Sequence, residues 1–354
     1  MIHGYSKEKI IKVARKIVPK SMILRTIEIC CGYLVYRKMR WQFGKHTQLI
    51  IFRGATGDLY LQFLLLKAYL EKCKFEKYSI IGCCWNFNAL ADLFCYSNIY
   101  QFKKTEIVCL EAWYLFSSQS EKSISIPFFW PHSVWFNRCR VRLDDRFTFM
   151  DTYVWMSFGL EKNSRSIYKL PHFEKRDTES LRFLCDSMGV IKGKTVWIAP
   201  DANSITGFPP WFWNMLIHAL QDKGYTVFMN CGEPNFYRAP SRILPYKACV
   251  PVLEYSGYFL GLRSGLCDII STADCKKVIL YPERQPAPDY GNHRSEAEFS
   301  SLVRMNLSDA SPDLVELSTP LLQNITDDDS QLLTRSKSYF DAMQTLHDDI
   351  LRYF

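Results

Sequence analysis

Leu260-Gly261-Leu262-Arg263-Ser264-Gly265-Leu266-Cys267-Asp268-Ile269-Ile270 reads as a short apolar strand, a Ser-Gly turn and the first turn of a helix. A helix N-terminus leaves backbone N–H groups unpaired and carries about half a positive charge, which makes such a turn an anion site in outline. Glycine lets the backbone approach a ligand closely, and Arg263 adds a forked donor to the same anion. The plainer reading makes Ser264 an N-cap and Arg263 a surface residue, and the segment alone does not choose between them.

Upstream, the same grammar occurs twice more. Gln48-Leu49-Ile50-Ile51-Phe52 is a short apolar strand, Arg53-Gly54-Ala55-Thr56-Gly57-Asp58 a glycine-bearing turn, and Leu59 to Cys73 an amphipathic helix. Strand, glycine turn and helix open a βαβ unit. The turn matches neither a Walker A sequence nor a GxGxxG fingerprint. Asp58 stands where a carboxylate caps helix N–H groups, and also where an open α/β sheet presents ligands. Tyr78 to Cys84 continues as a second strand, followed by a helix around Ala89–Phe94 and a strand near Ile107–Leu110. Further on, Thr195 to Pro200 is a strand and Asp201 to Pro210 a polar loop whose prolines suit a helix entry at Trp211. Gly224 stops that helix before the strand Tyr225 to Asn230, and Val278 to Tyr281 is the strand after the opening stretch. A helix around Met150–Phe158 and a polar connector around Gly159–Asp177 set the expected domain boundary. The fold class is α/β, with domains at 48–175 and 176–330, a basic helical extension at 1–47 and a C-terminal helix at 331–354 that could return to the first domain.

The 354 residues are long for one core. A hydrophobic fraction of 48% and a charged fraction of 23% belong to an ordinary globular protein. The net charge of +8 is concentrated: residues 1–45 hold eleven Lys and Arg against two acids, net +9, and the remaining 33 and 34 leave −1. Within that segment Lys7 to Val18 spaces apolar side chains at three and four residues with Lys and Arg between them, the pattern of a basic amphipathic helix. A second helix spans Met22–Met39, and Arg25 and Glu28 keep its uncharged stretch too short to cross a bilayer. Two readings stay open: a helix on an anionic membrane surface, or a helical hairpin packed on the first domain. Nucleic-acid binding is disfavoured, because the charge lies on an apolar-faced helix and the rest of the chain is near neutral. The 13 cysteines show no CxxC and no repeated spacing, and the chain opens on no secretory signal pattern. They are expected to be reduced, buried thiols of a cytoplasmic protein, peripheral to the inner face of the membrane if the first reading holds. The aromatic segment Ile124 to Phe136 is read either as a flap or as core filling between domains.

Taken in order, these turns carry a resemblance. Arg53-Gly54-Ala55-Thr56-Gly57-Asp58-Leu59 resembles the opening of the ADP-heptose:lipopolysaccharide heptosyltransferases, which are glycosyltransferases of the two-domain GT-B architecture. Ala199-Pro200-Asp201-Ala202-Asn203-Ser204 with Pro209-Pro210-Trp211 is similar to that family's proline-bearing loop and helix entry. Asn230-Cys231-Gly232-Glu233-Pro234 resembles its glycine-rich turn. Arg263-Ser264-Gly265-Leu266-Cys267-Asp268 takes the place of its donor-phosphate motif, in wording close to a group acting in capsule or O-antigen synthesis. The chain departs from the family at Thr206-Gly207-Phe208, where a basic run is usual, and at Arg263, where an Asp is usual. The segment Val250 to Leu260 is also short for the helix and strand expected there.

The resemblance implies two Rossmann-like domains facing a cleft and transfer of a sugar from a nucleotide-sugar donor to a glycan or lipid-linked acceptor. It implies Asp58 as base, Arg263, Ser264, Gly265, Leu266, Asn203, Ser204 and Glu233 on the donor, and Arg53, Gly54, Thr56 and Gly57 on the acceptor side. No cofactor or metal is expected, Asp327-Asp328-Asp329 being read as a solvated helix cap. The alternative is a non-catalytic scaffold of a polysaccharide assembly complex that keeps the same frame.

Overall fold

The computed structural model describes residues 20–117, 123–127, 152–161, 168–174, 178–202, 208–232, 236–282, 314–319 and 343–354. Asn203, Ser204, Glu233, the segment before Lys20, most of the Ile124–Phe136 segment and the Asp327–Asp329 run lie outside them.

In chain order the elements are α1 (Lys20–Phe43), β1 (Gln48–Ile51), α2 (Thr56–Cys73), β2 (Tyr78–Gly82), α3 (Phe87–Leu93), β3 (Ile99–Gln101), α4 (Lys104–Phe116) and β4 (Ile124–Ser125). A π-helical turn over Thr152–Ser157 leads to α5 (Glu179–Met188), β5 (Thr195–Ala199), α6 (Pro210–Asp222), β6 (Thr226–Met229), α7 (Tyr246–Ser256), β7 (Gly257–Leu262), α8 (Gly265–Ile269), β8 (Lys276–Pro282) and β9 (Leu314–Thr319). A closing helix, α9, covers 343–351.

Among the described residues the strand pairs are parallel and fall into two open sheets, ordered β3-β2-β1-β4 and β6-β5-β7-β8-β9. This is the expected pair of doubly wound α/β units. In each sheet the strand order reverses once, between β1 and β4 and between β5 and β7, and ligands of such folds sit beyond the strand carboxyl ends at that reversal. The strand β1 runs into Arg53–Asp58 and β7 into Arg263–Ser264, so both singled-out turns lie at reversal points.

Several details depart from the sequence reading. The apolar run Ile107–Leu110 is helical, and the strand lies earlier at Ile99–Gln101. Short apolar runs do not by themselves distinguish strand from helix; here the carboxylate of Glu106 accepts from the Lys103 N–H at 3.0 Å and starts a helix. The interval Val250–Leu260 does hold a helix end and a strand, because α7 begins upstream at Tyr246 and turns into β7 through one residue, Gly257, at φ +95°. Its left-handed conformation is the kind glycine adopts freely. The closing helix packs on the second sheet, not the first domain. Met343, Leu346 and Ile350 join a buried cluster with Ile198, Leu220 and Val278, and Lys223, Tyr225 and Lys276 donate to carbonyls of Leu351, Phe354 and Tyr353.

The N-terminal half of α2 is buried all round, from Leu59 to Leu66, where an amphipathic pattern predicts one buried face. It is enclosed because the largest apolar cluster takes Tyr60, Leu64 and Phe87 from the first unit together with Trp197, Val252 and Ile279 from the second. The connector joins in: the Lys169, His172 and Glu174 N–H groups donate to carbonyls of Leu64, Leu93 and Lys247. On the outer side, α1 packs against α4 at Gly32, where an added Cβ would lie 2.0 Å from the Cys109 carbonyl oxygen. Tyr36 stacks on Trp113 at 4.3 Å, and Arg40 donates to the carbonyls of Thr47 and Ser123. Residues 20–43 thus lie on the first domain, while the other helix of the hairpin reading falls before Lys20, outside the described residues. Cys185, Cys231, Cys249 and Cys275 are buried thiols, whereas Cys30, Cys31 and Cys95 are exposed, which corrects the expectation of burial for those three.

Candidate functional site

The turn after β1 is braced at almost every residue. Arg53 forms an ion pair with the buried Glu111 of α4, and its carbonyl accepts from Gln62 Nε2 at 2.7 Å. The Gly54 carbonyl accepts from Cys84 Sγ at 2.8 Å, and Thr56 Oγ1 accepts from Asn86 Nδ2 at 2.6 Å. Gly54 sits at φ +126°, and an added Cβ there would lie 2.6 Å from Asp58 Oδ2. Glycine is required both for that backbone and for the close carboxylate.

Asp58 is held from two sides. Its Oδ2 accepts from the Ala55 N–H at 2.7 Å and its Oδ1 from the Tyr153 hydroxyl at 2.5 Å. Asp58 therefore does cap α2, as the plainer reading of such a residue has it, and its other oxygen takes the Tyr153 hydroxyl. Burial pushes its carboxyl above the usual carboxylate range, while Tyr153, the Ala55 N–H and the nearby Arg263 charge pull the other way. Burial also raises the Tyr153 hydroxyl well above its ordinary value, which keeps it a donor.

The turn after β7 meets this one directly. An added Cβ on Gly265 would lie 2.3 Å from the Gly57 backbone nitrogen, and one on Gly57 would lie 2.4 Å from Asp268 Oδ2. Backbone touches backbone between the two helix starts, so the glycines serve a contact between the units as well as any approach to a ligand. Arg263 turns its guanidinium onto the buried Asp268 in a forked pair, Nη2 to Oδ1 at 2.6 Å and Nη1 to Oδ2 at 3.1 Å. Burial raises the Asp268 carboxyl, and Arg263 opposes that shift. Ser264 makes no side-chain cap bond to α8. The structure thus brings together Asp58, Gly57, Arg263, Ser264, Gly265 and Leu266, and adds Tyr153 and Asp268. Asp268 lies in the quoted stretch, five residues after Arg263, but nothing local distinguishes it from a helix-start acid. Tyr153 is 95 positions from Asp58 and carries no sequence signal.

A cavity of about 700 Å³ opens at the carboxyl ends of β2 and β3, lined by Lys38, Cys83, Tyr100, Gln101, Lys103 and Lys104 among others. Asp58 is not among its lining residues, but Gln101 donates to the Cys84 carbonyl at 3.0 Å, and Cys84 in turn holds Gly54. The Cys84 thiol is lowered to about 7, chiefly by a hydrogen bond from Cys83.

No protein-family model and no curated protein matches the chain. Among solved structures it is similar to the Escherichia coli ADP-heptose LPS heptosyltransferase II, at 11% identity over 85% of this chain and 99% of that one, with a TM-score of 0.46. It is similar to a family 9 glycosyltransferase from Veillonella parvula, at 13% identity over 77% and 86%, with a TM-score of 0.46. The wall teichoic acid polymerase TagF is 11% identical over 99% and 93%, with a TM-score of 0.39.

Proposed function

We propose that the chain is a glycosyltransferase that moves a hexosyl or heptosyl group from a nucleotide sugar to a cell-surface glycan or lipid-linked acceptor, without a metal. The observation that carries this reading is the meeting of the two reversal-point turns. One presents a half-buried carboxylate with raised proton affinity, the other a guanidinium and the start of a helix.

In the reaction Asp58 accepts the acceptor hydroxyl proton as that oxygen bonds to the anomeric carbon. The bond from that carbon to the diphosphate breaks, and the electron pair leaves with the diphosphate. Backbone N–H groups of Ser264, Gly265 and Leu266, with Arg263 held in place by Asp268, stabilise the departing charge. Asn203, Ser204 and Glu233 are assigned to the donor by the sequence resemblance alone. Arg53, Gly54, Thr56 and Gly57 form the acceptor side, and the neighbouring cavity, where Lys103 and Lys104 stand beside the Lys38–Glu106 ion pair, favours an acidic acceptor.

A second reading, a non-catalytic scaffold on the same frame, is favoured by the Arg263–Asp268 pair, which occupies the guanidinium that the first reading gives to the diphosphate. Incubation with a panel of labelled sugar nucleotides separates the two. Transfer or slow hydrolysis that survives chelator supports the enzyme, and loss on chelation overturns its metal-free form. A sugar nucleotide at about 100 times its dissociation constant raises stability by about 2.7 kcal/mol, so thermal shift finds the donor before an acceptor is known. Stabilisation with neither transfer nor hydrolysis selects the scaffold.

A further inference from the structure

The helix α1 has two apolar faces, and the domain covers one. Met39 is buried, and Val35, Tyr36 and Phe43 pack against the same cluster under α4. A helix that did nothing else would be polar on its opposite side. Instead Ile27, Leu34 and Trp41, at a seven-residue spacing that sets them on one line, are 54%, 66% and 90% exposed. Leu24 and Tyr33 beside them are exposed as well. The line runs about 21 Å along the helix at a rise of about 1.5 Å per residue. Among the described residues no helix is long and apolar enough to cross a membrane.

Charge identifies the occupant. Arg37 is exposed beside this line, Lys45 is exposed just past the helix, and the nineteen residues joined to its start carry five Lys and Arg against one acid. A second copy of the chain docked here would bring like charges together. An anionic bilayer supplies the opposite charge and takes aliphatic side chains and a tryptophan at its interface.

We propose that Leu24, Ile27, Leu34 and Trp41 of α1 seat the protein flat on an anionic lipid surface, with Arg37 and Lys45 at the headgroups. This contact stands apart from the glycosyl-transfer reading, because it is measured without turnover.

The test is flotation of the full chain with vesicles of phosphatidylglycerol and phosphatidylcholine, against vesicles of phosphatidylcholine alone. The expected result is recovery with the anionic vesicles only, weakened by salt, and reduced at least about tenfold in a Leu34→Ser/Trp41→Ser variant. Both side chains face solvent, so the variant should melt with the wild type, and a melt that differs moves the test to Arg37→Glu. No recovery with anionic vesicles overturns the proposal, as does recovery that the variants leave unchanged. A concentration-dependent dimer that the double variant abolishes also overturns it and assigns the face to a second copy.

Discussion

The starts of α2 and α8 are built from the same parts: a buried parallel strand, a glycine turn, and an acid in the first helical turn. Their acids have different fates. Asp268 is enclosed and bound by a forked arginine, so its charge is neutralised within its own turn. Asp58 is bound by a tyrosine hydroxyl and one N–H, neutral donors that fix its position, and among the described residues the Arg263 charge acts on it from nearby without a direct bond. Where the chain supplies a counter-ion the acid is structural; where it supplies only orientation, the acid stays available to take a proton.

The sharpest break of that contrast is Asp58→Asn. On the glycosyltransferase reading, turnover should fall by about 10²- to 10⁴-fold, the loss expected for a general base, with the melting temperature kept or raised because a buried charge is removed. Near-wild-type turnover would leave Asp58 a helix cap and nothing more.

Arg263→Ala, on the other side of the comparison, leaves Asp268 buried without its partner. Loss of one member of such a pair destabilises by about 3–5 kcal/mol, read as a fall in denaturation midpoint. Adding Asp268→Leu should restore much of that loss, since the stranded charge goes with it. A single variant that melted normally would mean the pair is not held as described.

Gly265→Ala tests the contact itself. A methyl 2.3 Å from the Gly57 nitrogen forces the two helix starts apart, at about 1–3 kcal/mol for overpacking of this kind. The same change at Gly232, where an added Cβ meets nothing within 4 Å, is the control.

Tyr153→Phe carries the smallest effect, about 1 kcal/mol of stability for one hydrogen bond. Its signature is in pH. The Tyr153 bond lowers the Asp58 carboxyl, so removing it raises that carboxyl further, and the acid limb of the activity profile should move to higher pH. Stability follows the same sign. A carboxyl raised on folding is most favourable below its unfolded value, and its contribution is lost as pH rises through the folded one. Asp58→Asn should therefore gain on the wild type from acid toward neutral pH.

Much of this frame was legible in residues alone. The strands at Gln48, Tyr78 and Thr195, the proline entry to α6 and the glycine stops announced themselves through local backbone chemistry. Ile107–Leu110 did not, since four apolar residues fit a buried strand or one helical turn equally well. The site was legible as two separate turns. What joined them was out of reach, because the Gly57–Gly265 contact and the Tyr153–Asp58 bond are made between distant segments that only the packed fold brings together. The partner of Arg263 shows the same limit: an arginine before a helix start is written identically for a ligand phosphate and for its own Asp268.

The buried cluster that draws side chains from both sheets bears on how the molecule comes apart. Units joined only through a polar seam melt one after the other, each with its own transition. Here Tyr60 and Leu64 share their apolar surroundings with Trp197 and Val252, so exposing one half strips the other of part of its core. The shared cluster therefore predicts that the two sheets unfold in one transition, with either half alone missing part of its core.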